Sequence, residues 1–396
     1  MSDAAAKSPR PVHRVLLVSH VSVFGGAERG FLDIARALRG TPFSPVAALP
    51  PDGLLDEHLV KQGVHRCHVP LRRLRRKLSP WVLLHQAIAV QRGAAELARV
   101  IRRERITLVH ANSDTAHLYA GLAARRTRVP VLWHGRDMRP LAGLYPWLES
   151  TASRMIAVSR VKADHWTRIA SRCPGPWRRR LKKKMILLHN AVDVREFFPG
   201  NTRARARQAW RIDADAPVAG MVAHMIPWKN HALFLDAARH VAQACPKAVF
   251  LVVGDDLPGS GTDGKAALAR QCVELGLGDR VRFTGFQSDM PPLYEAMDVL
   301  VHPAVNEPFG RSVAEAMAMG VPVVAMNQGG PCDLVEHGVH GFLTSPDAAL
   351  IAEHVLRLVK CPELRMRFGR AGLERIHREF SLDSYRDRLL AIYRSL

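Results

Sequence analysis

The chain alternates short apolar runs with longer amphipathic stretches, and it does so in two successive series. Arg14-Val15-Leu16-Leu17-Val18-Ser19-His20 has the length and continuity of a strand buried on both faces of a parallel sheet. A Gly-rich turn and a helix from about Ala27 to Leu38 follow it. Val82 to Arg103 carries Leu83, Ala87, Val90, Ala94, Leu97 and Ile101 at helical spacing, with basic residues between them. Residues 107–110, 129–133, 155–158 and 185–188 read as further strands. A break at Phe198-Pro199-Gly200-Asn201 opens the second series, with strands at 218–222, 248–254, 281–285, 299–301 and 321–325. This pattern predicts an α/β chain of two doubly wound parallel sheets, divided between residues 197 and 198. Ligands bind beyond the carboxyl ends of such strands, which predicts a site in a cleft between two domains.

Charge separates the two halves. The formal net charge is +21, and all of the excess lies in residues 1–200, which hold 35 basic and 14 acidic side chains against 22 and 22 in the remainder. It is concentrated in Arg72, Arg73, Arg75, Arg76 and Lys77, in Arg125, Arg126 and Arg128, and in Arg178, Arg179, Arg180, Lys182, Lys183 and Lys184. An arginine-rich composition alone would charge both halves, so the asymmetry points to an anionic partner for the first: a lipid headgroup surface or a phosphorylated glycan. Nucleic acid is disfavoured, because Trp81 and Trp177 stand isolated and the basic runs lack aromatic platforms. No apolar run approaches the ~18 residues of a membrane span. The segment Val15–Phe24 is interrupted by Ser19, His20 and Ser22 and leads into Gly25-Gly26-Ala27-Glu28, unlike a signal-peptidase site. Six cysteines without a CxxC pair or metal-ligand spacing read as the reduced thiols of a cytoplasmic protein.

The residues richest in chemistry lie in Glu307-Pro308-Phe309-Gly310-Arg311-Ser312-Val313-Ala314-Glu315. Glu307 follows a strand, and Glu315 lies on the next helix. A helix opening near Phe309 would direct its first amides and positive dipole end at an anion, with Gly310 allowing a phosphate oxygen close to the backbone. The eight residues between the glutamates cover ~12 Å of helical rise, the reach of a nucleotide diphosphate sugar. Glu315 can then chelate ribose hydroxyls and Glu307 can accept hydrogen bonds from the sugar. Lys229 falls between a strand and a helix, where its ammonium can neutralise a departing diphosphate. His134 ends a strand in the first half and can hydrogen-bond a sugar. Gly25-Gly26 is a tight turn and not a dinucleotide-binding fingerprint. Asp213-Ala214-Asp215 reads as a turn, so no metal is implied.

Together these stretches resemble the GT-B glycosyltransferases, specifically the large retaining family four. The matching segments also include Asn190-Ala191-Val192-Asp193, Gly254-Asp255, Val281 to Phe286, Gly320-Val321-Pro322-Val323-Val324 and Gly329-Gly330-Pro331-Cys332-Asp333. The resemblance implies two Rossmann-like domains facing across a cleft, the first binding acceptor and the second (198–379) binding donor, with a terminal helix at 380–396 rejoining the first (1–197). It implies a metal-independent hexosyltransferase without a cofactor, transferring from a nucleotide diphosphate sugar with retention. An anionic glycan or lipid-linked acceptor of cell-envelope synthesis, met at the inner membrane face, is the expected partner. Carried over by residue, the catalytic set is His134, Lys229 and Glu307. The donor-binding set is Gly26, His224, Lys229, Phe286, Glu307, Phe309, Gly310, Arg311, Glu315, Gly329 and Gly330, with Phe286 toward the base. His224 stands where the family usually has arginine, and Asp333 where it usually has glutamate. A GT-B-shaped epimerase and an inactive sugar-binding scaffold are the other readings.

Overall fold

A computed structural model describes residues 13–23, 25–74, 79–138, 144–172, 175–256 and 263–396. The chain divides into two units, Met1–Ala191 with Leu382–Leu396, and Val192–Ser381. The division falls ahead of the 197/198 break read from sequence, because Val192 already donates its N–H to the Phe380 carbonyl within the second unit (2.9 Å).

The first unit is built on β1 (His13–Val18), β2 (Phe43–Leu49), β3 (His65–His68), β4 (Leu108–Ala111), β5 (Val131–Gly135), β6 (Arg154–Ala157) and β7 (Met185–Leu187). Their order across the sheet is β3-β2-β1-β4-β5-β6-β7, all parallel. Val15, Leu16, Leu17 and Val18 are all buried, as a strand covered on both faces requires. On one face Trp133 stacks on His117 and packs against Trp166. The other face is closed partly by the helix Leu382–Arg394, whose Tyr385, Leu389, Ile392 and Tyr393 share a core with Val15, Leu17, Phe31 and Phe43. That helix starts at Leu382 and not at 380, because the preceding helix runs on through a wider π turn, Ile376–Phe380.

The second unit repeats the plan with β8 (Val218–Val222), β9 (Val249–Val253), β10 (Val281–Gly285), β11 (Val299–His302), β12 (Val323–Met326) and β13 (Gly341–Thr344). The order is β10-β9-β8-β11-β12-β13, again all parallel. At the amino-terminal edge of this sheet Asp298 acts as a clamp. Its carboxylate accepts from Arg203 (2.7 Å), Arg207 (2.9 Å) and the Val218 N–H (2.8 Å), with Arg365 3.6 Å away. Asp298 and Arg207 are buried, so each charge relies on the other for what water would have supplied. Asp298→Ala is expected to lower the stability of the second unit by about 3–5 kcal/mol, read from urea unfolding, by leaving that guanidinium without its counter-charge.

Candidate active site

In a doubly wound sheet the connections leave the central strands in opposite directions at one point, and the loops there part to form a hollow. In the second unit that point lies between β8 and β11. The loop after β8 carries His224, Trp228 and Lys229 and ends at Asn230, whose φ of 62° turns the chain into the helix His231–Ala244. The loop after β11 carries Glu307, with Asn306 at φ 57° just before it. A backbone hydrogen bond, Val305 N–H to Trp228 O (3.1 Å), ties the two loops.

This tie brings Lys229 and Glu307 together. Lys229 Nζ lies 2.5 Å from Glu307 Oε2 and 4.2 Å from the centre of the Trp228 ring. His302 Nε2 lies 3.4 Å from the same carboxylate oxygen, and its Nδ1 lies 3.2 Å from Ser312 Oγ. Burial alone would push the Glu307 carboxyl up; the Lys229 ammonium and the His302 imidazole outweigh it and hold the group at about 2. Burial, aided by the Lys229 charge, lowers His224 below the usual histidine range. The imidazole in place of the family's arginine is therefore uncharged at neutral pH, and Lys229 supplies the charge between these two loops.

Glycine sets how closely the Glu307 loop is held. Gly330 donates to the Glu307 carbonyl (2.7 Å), and a Cβ on Gly330 would stand 2.2 Å from Phe309 Cα. Gly329 has φ 78°, and its Cβ would stand 2.7 Å from the Glu307 carbonyl oxygen. The glycine pair thus allows one backbone to lie directly on another. Gly310, at φ 96°, turns the chain into the helix Arg311–Ala318. The helix opens within two residues of Phe309, its cap set by the left-handed residue 310. The Phe309 ring is buried, 6.3 Å from the Phe380 ring, so its side chain serves packing. Glu315 is buried too: Tyr294 donates its hydroxyl to Oε2 (2.9 Å), and Arg311 Nε is 3.6 Å from Oε1. Phe286 follows the edge strand β10 and is half-exposed.

His134 belongs to a separate group in the first unit, whose own reversal point lies between β1 and β4. It is fully buried on β5, with Nδ1 3.0 Å from His110 Nε2 and 3.4 Å from Arg136 Nη2. His110 Nδ1 is 2.7 Å from the Tyr393 hydroxyl. Arg136, also buried, donates to Asn112 Oδ1 (2.8 Å) and to Asn190 Oδ1. Gly26 heads the helix Gly26–Ala37, and Glu28 in its first turn is pushed by burial up to about 7. Lys162 is buried between Trp166, Asp114 (3.6 Å) and the Asp137 carbonyl.

Sequence spacing did not reveal one grouping with cation-ligand chemistry: His65 and Cys67 on β3 with Glu104. The guanidiniums of Arg14 (3.0 Å from Glu104) and Arg103 (2.9 Å from Glu104 and 3.4 Å from Cys67) already occupy it. Arg178, Arg179, Arg180, Lys182 and Lys183 are exposed on the helix Gly175–Lys184, which buries Trp177 and Leu181. Arg180 (3.5 Å) and Lys184 (2.9 Å) pair with Glu149. Arg72 and Arg73 are exposed, whereas Arg75, Arg76 and Lys77 lie outside the described residues. No described helix is long and apolar enough to cross a membrane.

Comparison with known proteins assigns both halves. Residues 24–196 match the model for Glycosyltransferase Family 4, and residues 202–375 match the model for Glycosyl transferases group 1. The chain belongs to glycosyltransferase family four. The chain superposes on the Anabaena HepE structure in complex with UDP and glucose with a TM-score of 0.80 at 25% identity, covering 96% of this chain and 99% of that one. It is 34% identical over 250 residues to the D-inositol 3-phosphate glycosyltransferase of Saccharomonospora viridis, covering 61% of this chain and 56% of the relative. With the enzyme of that name from Mycobacterium tuberculosis it shares 35% over 217 residues, 53% of this chain and 44% of the relative. The chain spans about half the length of these sequence relatives.

The Lys229–Glu307 charge pair has a pH signature. Because the folded Glu307 carboxyl sits near 2, below its unfolded value, it stabilises the fold above about 4.5, and that share is lost as pH falls toward 2. Lys229→Met removes the counter-charge and leaves Glu307 to burial. Urea unfolding is expected to show the variant about 3–5 kcal/mol less stable at pH 7, with the gap narrowing below pH 4.5.

Proposed function

We propose that the chain is a retaining hexosyltransferase that carries a sugar from a nucleotide diphosphate donor to a hydroxyl of an anionic acceptor, with neither metal nor cofactor. The observation that carries this reading is the Lys229–Glu307 pair at the reversal point of the second sheet. A diphosphate leaving group gains negative charge as the anomeric C–O bond breaks, and a fixed ammonium stabilises that charge where it develops. Glu307, ionised at every pH near neutrality, holds the ammonium in place and leaves its remaining acceptor capacity for sugar hydroxyls.

Retention then follows from attack on the face the diphosphate leaves. The acceptor oxygen bonds to the anomeric carbon, the bond from that carbon to the β-phosphate oxygen breaks, and the acceptor proton passes to the departing phosphate. The protein contributes position and charge, through Lys229, Arg311 and the amides that follow Gly310. In this reading Gly26 and Gly310 face phosphate, Phe286 the base, Glu315 the ribose and His224 the donor. The UDP and glucose in the Anabaena HepE complex support a uridine diphosphate sugar. Lys229→Ala is expected to lower kcat by about 10²–10³, with EDTA leaving the wild-type rate unchanged; full activity in the variant, or loss with EDTA, overturns the reading.

The acceptor is read from charge. The excess of +21 lies in the half that includes the first unit, and the sequence relatives are named for a phosphorylated inositol. A phosphorylated glycan or lipid-linked precursor at the cytoplasmic face of a membrane fits both. The exposed Trp81, Leu83, Leu84 and Ile88 on the helix Pro80–Arg103 add an apolar face of the kind that beds among lipid headgroups. Each cation near an anionic surface adds about 1 kcal/mol. Sedimentation with anionic but not zwitterionic vesicles is expected, and it should weaken when Arg178, Arg179, Lys182 and Lys183 are replaced by Ser. Equal partition to both vesicle types removes the membrane from the reading.

A further inference from the structure

The hydrogen bonds around His134 have a direction, and the direction can be worked out from the donors. A guanidinium has N–H groups and no acceptor. Arg136 Nη2 faces His134 Nδ1 at 3.4 Å, so that nitrogen accepts. His110 Nε2 shares the same Nδ1 at 3.0 Å and must therefore donate to it. A His110 ring that carries its proton on Nε2 accepts at Nδ1, where the Tyr393 hydroxyl donates from 2.7 Å. Only one arrangement of protons satisfies all three contacts while both rings are neutral. Burial keeps them neutral, lowering His110 to about 3 and His134 well below the ordinary value.

The chain of donors ends at an unused group. His134 Nε2 is buried and has no hydrogen-bond partner among the described residues. Every other polar atom of the row is engaged: Arg136 Nε and Nη1 go to Asn112 and Asn190, and the Tyr393 ring is fixed edge-on against Phe43 at 5.2 Å. Tyr393 and His110 are 283 residues apart in the chain, so the proton arrangement on β5 is set from the helix Leu382–Arg394.

We propose that Tyr393, His110 and Arg136 hold His134 as the Nε2–H tautomer, so that it meets an acceptor oxygen of the glycosyl substrate as a hydrogen-bond donor and never as a base. The contact with substrate rests on the glycosyltransferase reading above; the tautomer does not. His134 touches substrate, and Tyr393, His110 and Arg136 are positioning residues that act through it. With the single Nδ1 lone pair shared between two donors and Nε2 already protonated, the imidazole has no free lone pair with which to take the proton of an acceptor hydroxyl. The base must then come from elsewhere, and the departing phosphate supplies one.

Long-range ¹H–¹⁵N correlation spectra of the histidine side chains at pH 7 test this, with His110 and His134 assigned by loss of their signals in His110→Asn and His134→Gln. Single Nε2–H tautomers for both rings are expected. An Nδ1–H or doubly protonated His134 overturns the proposal whether or not the protein transfers sugar. Tyr393→Phe keeps the ring and removes the donor. It is expected to leave the fold intact, to mix the two tautomers of His110, and to lower kcat about tenfold at unchanged donor KM, the scale of one neutral hydrogen bond. Unchanged tautomers and rate in Tyr393→Phe would remove Tyr393 from the positioning set. Sugar transfer absent from the wild type would instead defeat the functional reading and leave the tautomer assignment standing.

Discussion

A half-buried ammonium and a buried carboxylate in contact organise the second unit's site. Neither Lys229 nor Glu307 is stable alone in a place so poorly hydrated, and each is what lets the other stay charged. The pairing dictates much of the surrounding backbone. It needs the loops after β8 and β11 to meet, which the Val305–Trp228 hydrogen bond secures, and it needs the carboxylate pinned from behind, which His302 does. Two left-handed asparagines and a left-handed Gly310 turn the flanking chain sharply enough for that meeting.

At rest the ammonium is paired with Glu307. On the reading proposed above, an arriving diphosphate gives Lys229 two anionic neighbours instead of one, and Glu307 gains hydroxyl donors that compensate for sharing it. The resting pair thus keeps the cation in position without a cost in reorganisation at the moment of reaction.

Much of this was legible in the amino-acid order. β1, β9 and β11 were readable as short apolar runs dominated by Val and Leu, because burial on both faces demands that composition. β2 was not, since Pro45 and two alanines dilute its signal, and β3 was not, since on an edge only Cys67 of its four residues is buried. β13 was hidden for another reason: Gly341 lies where a Cβ would strike the Val323 carbonyl. At the site, the motif residues were read as separate positions, without the contacts between them. Lys229 and Glu307 were assigned separate tasks, and nothing in a linear reading joins positions 78 residues apart. His302 carried no signal, lying one residue past the strand read at 299–301. Phe309 illustrates the converse, a motif residue whose ring belongs to the core and whose backbone is what the neighbouring glycine needs. His110 and Tyr393 carried no local signal, because their significance exists only once the sheet and the helix Leu382–Arg394 have met.

That helix has a consequence for how the chain is made. The core of the first unit needs Tyr385, Leu389, Ile392 and Tyr393, yet these emerge from the ribosome only after the whole of Val192–Ser381 has been synthesised. Domains usually fold in the order of their translation. Here the middle of the polypeptide can reach its native state first, while the earlier segment waits, with part of one sheet face uncovered, for its closing piece.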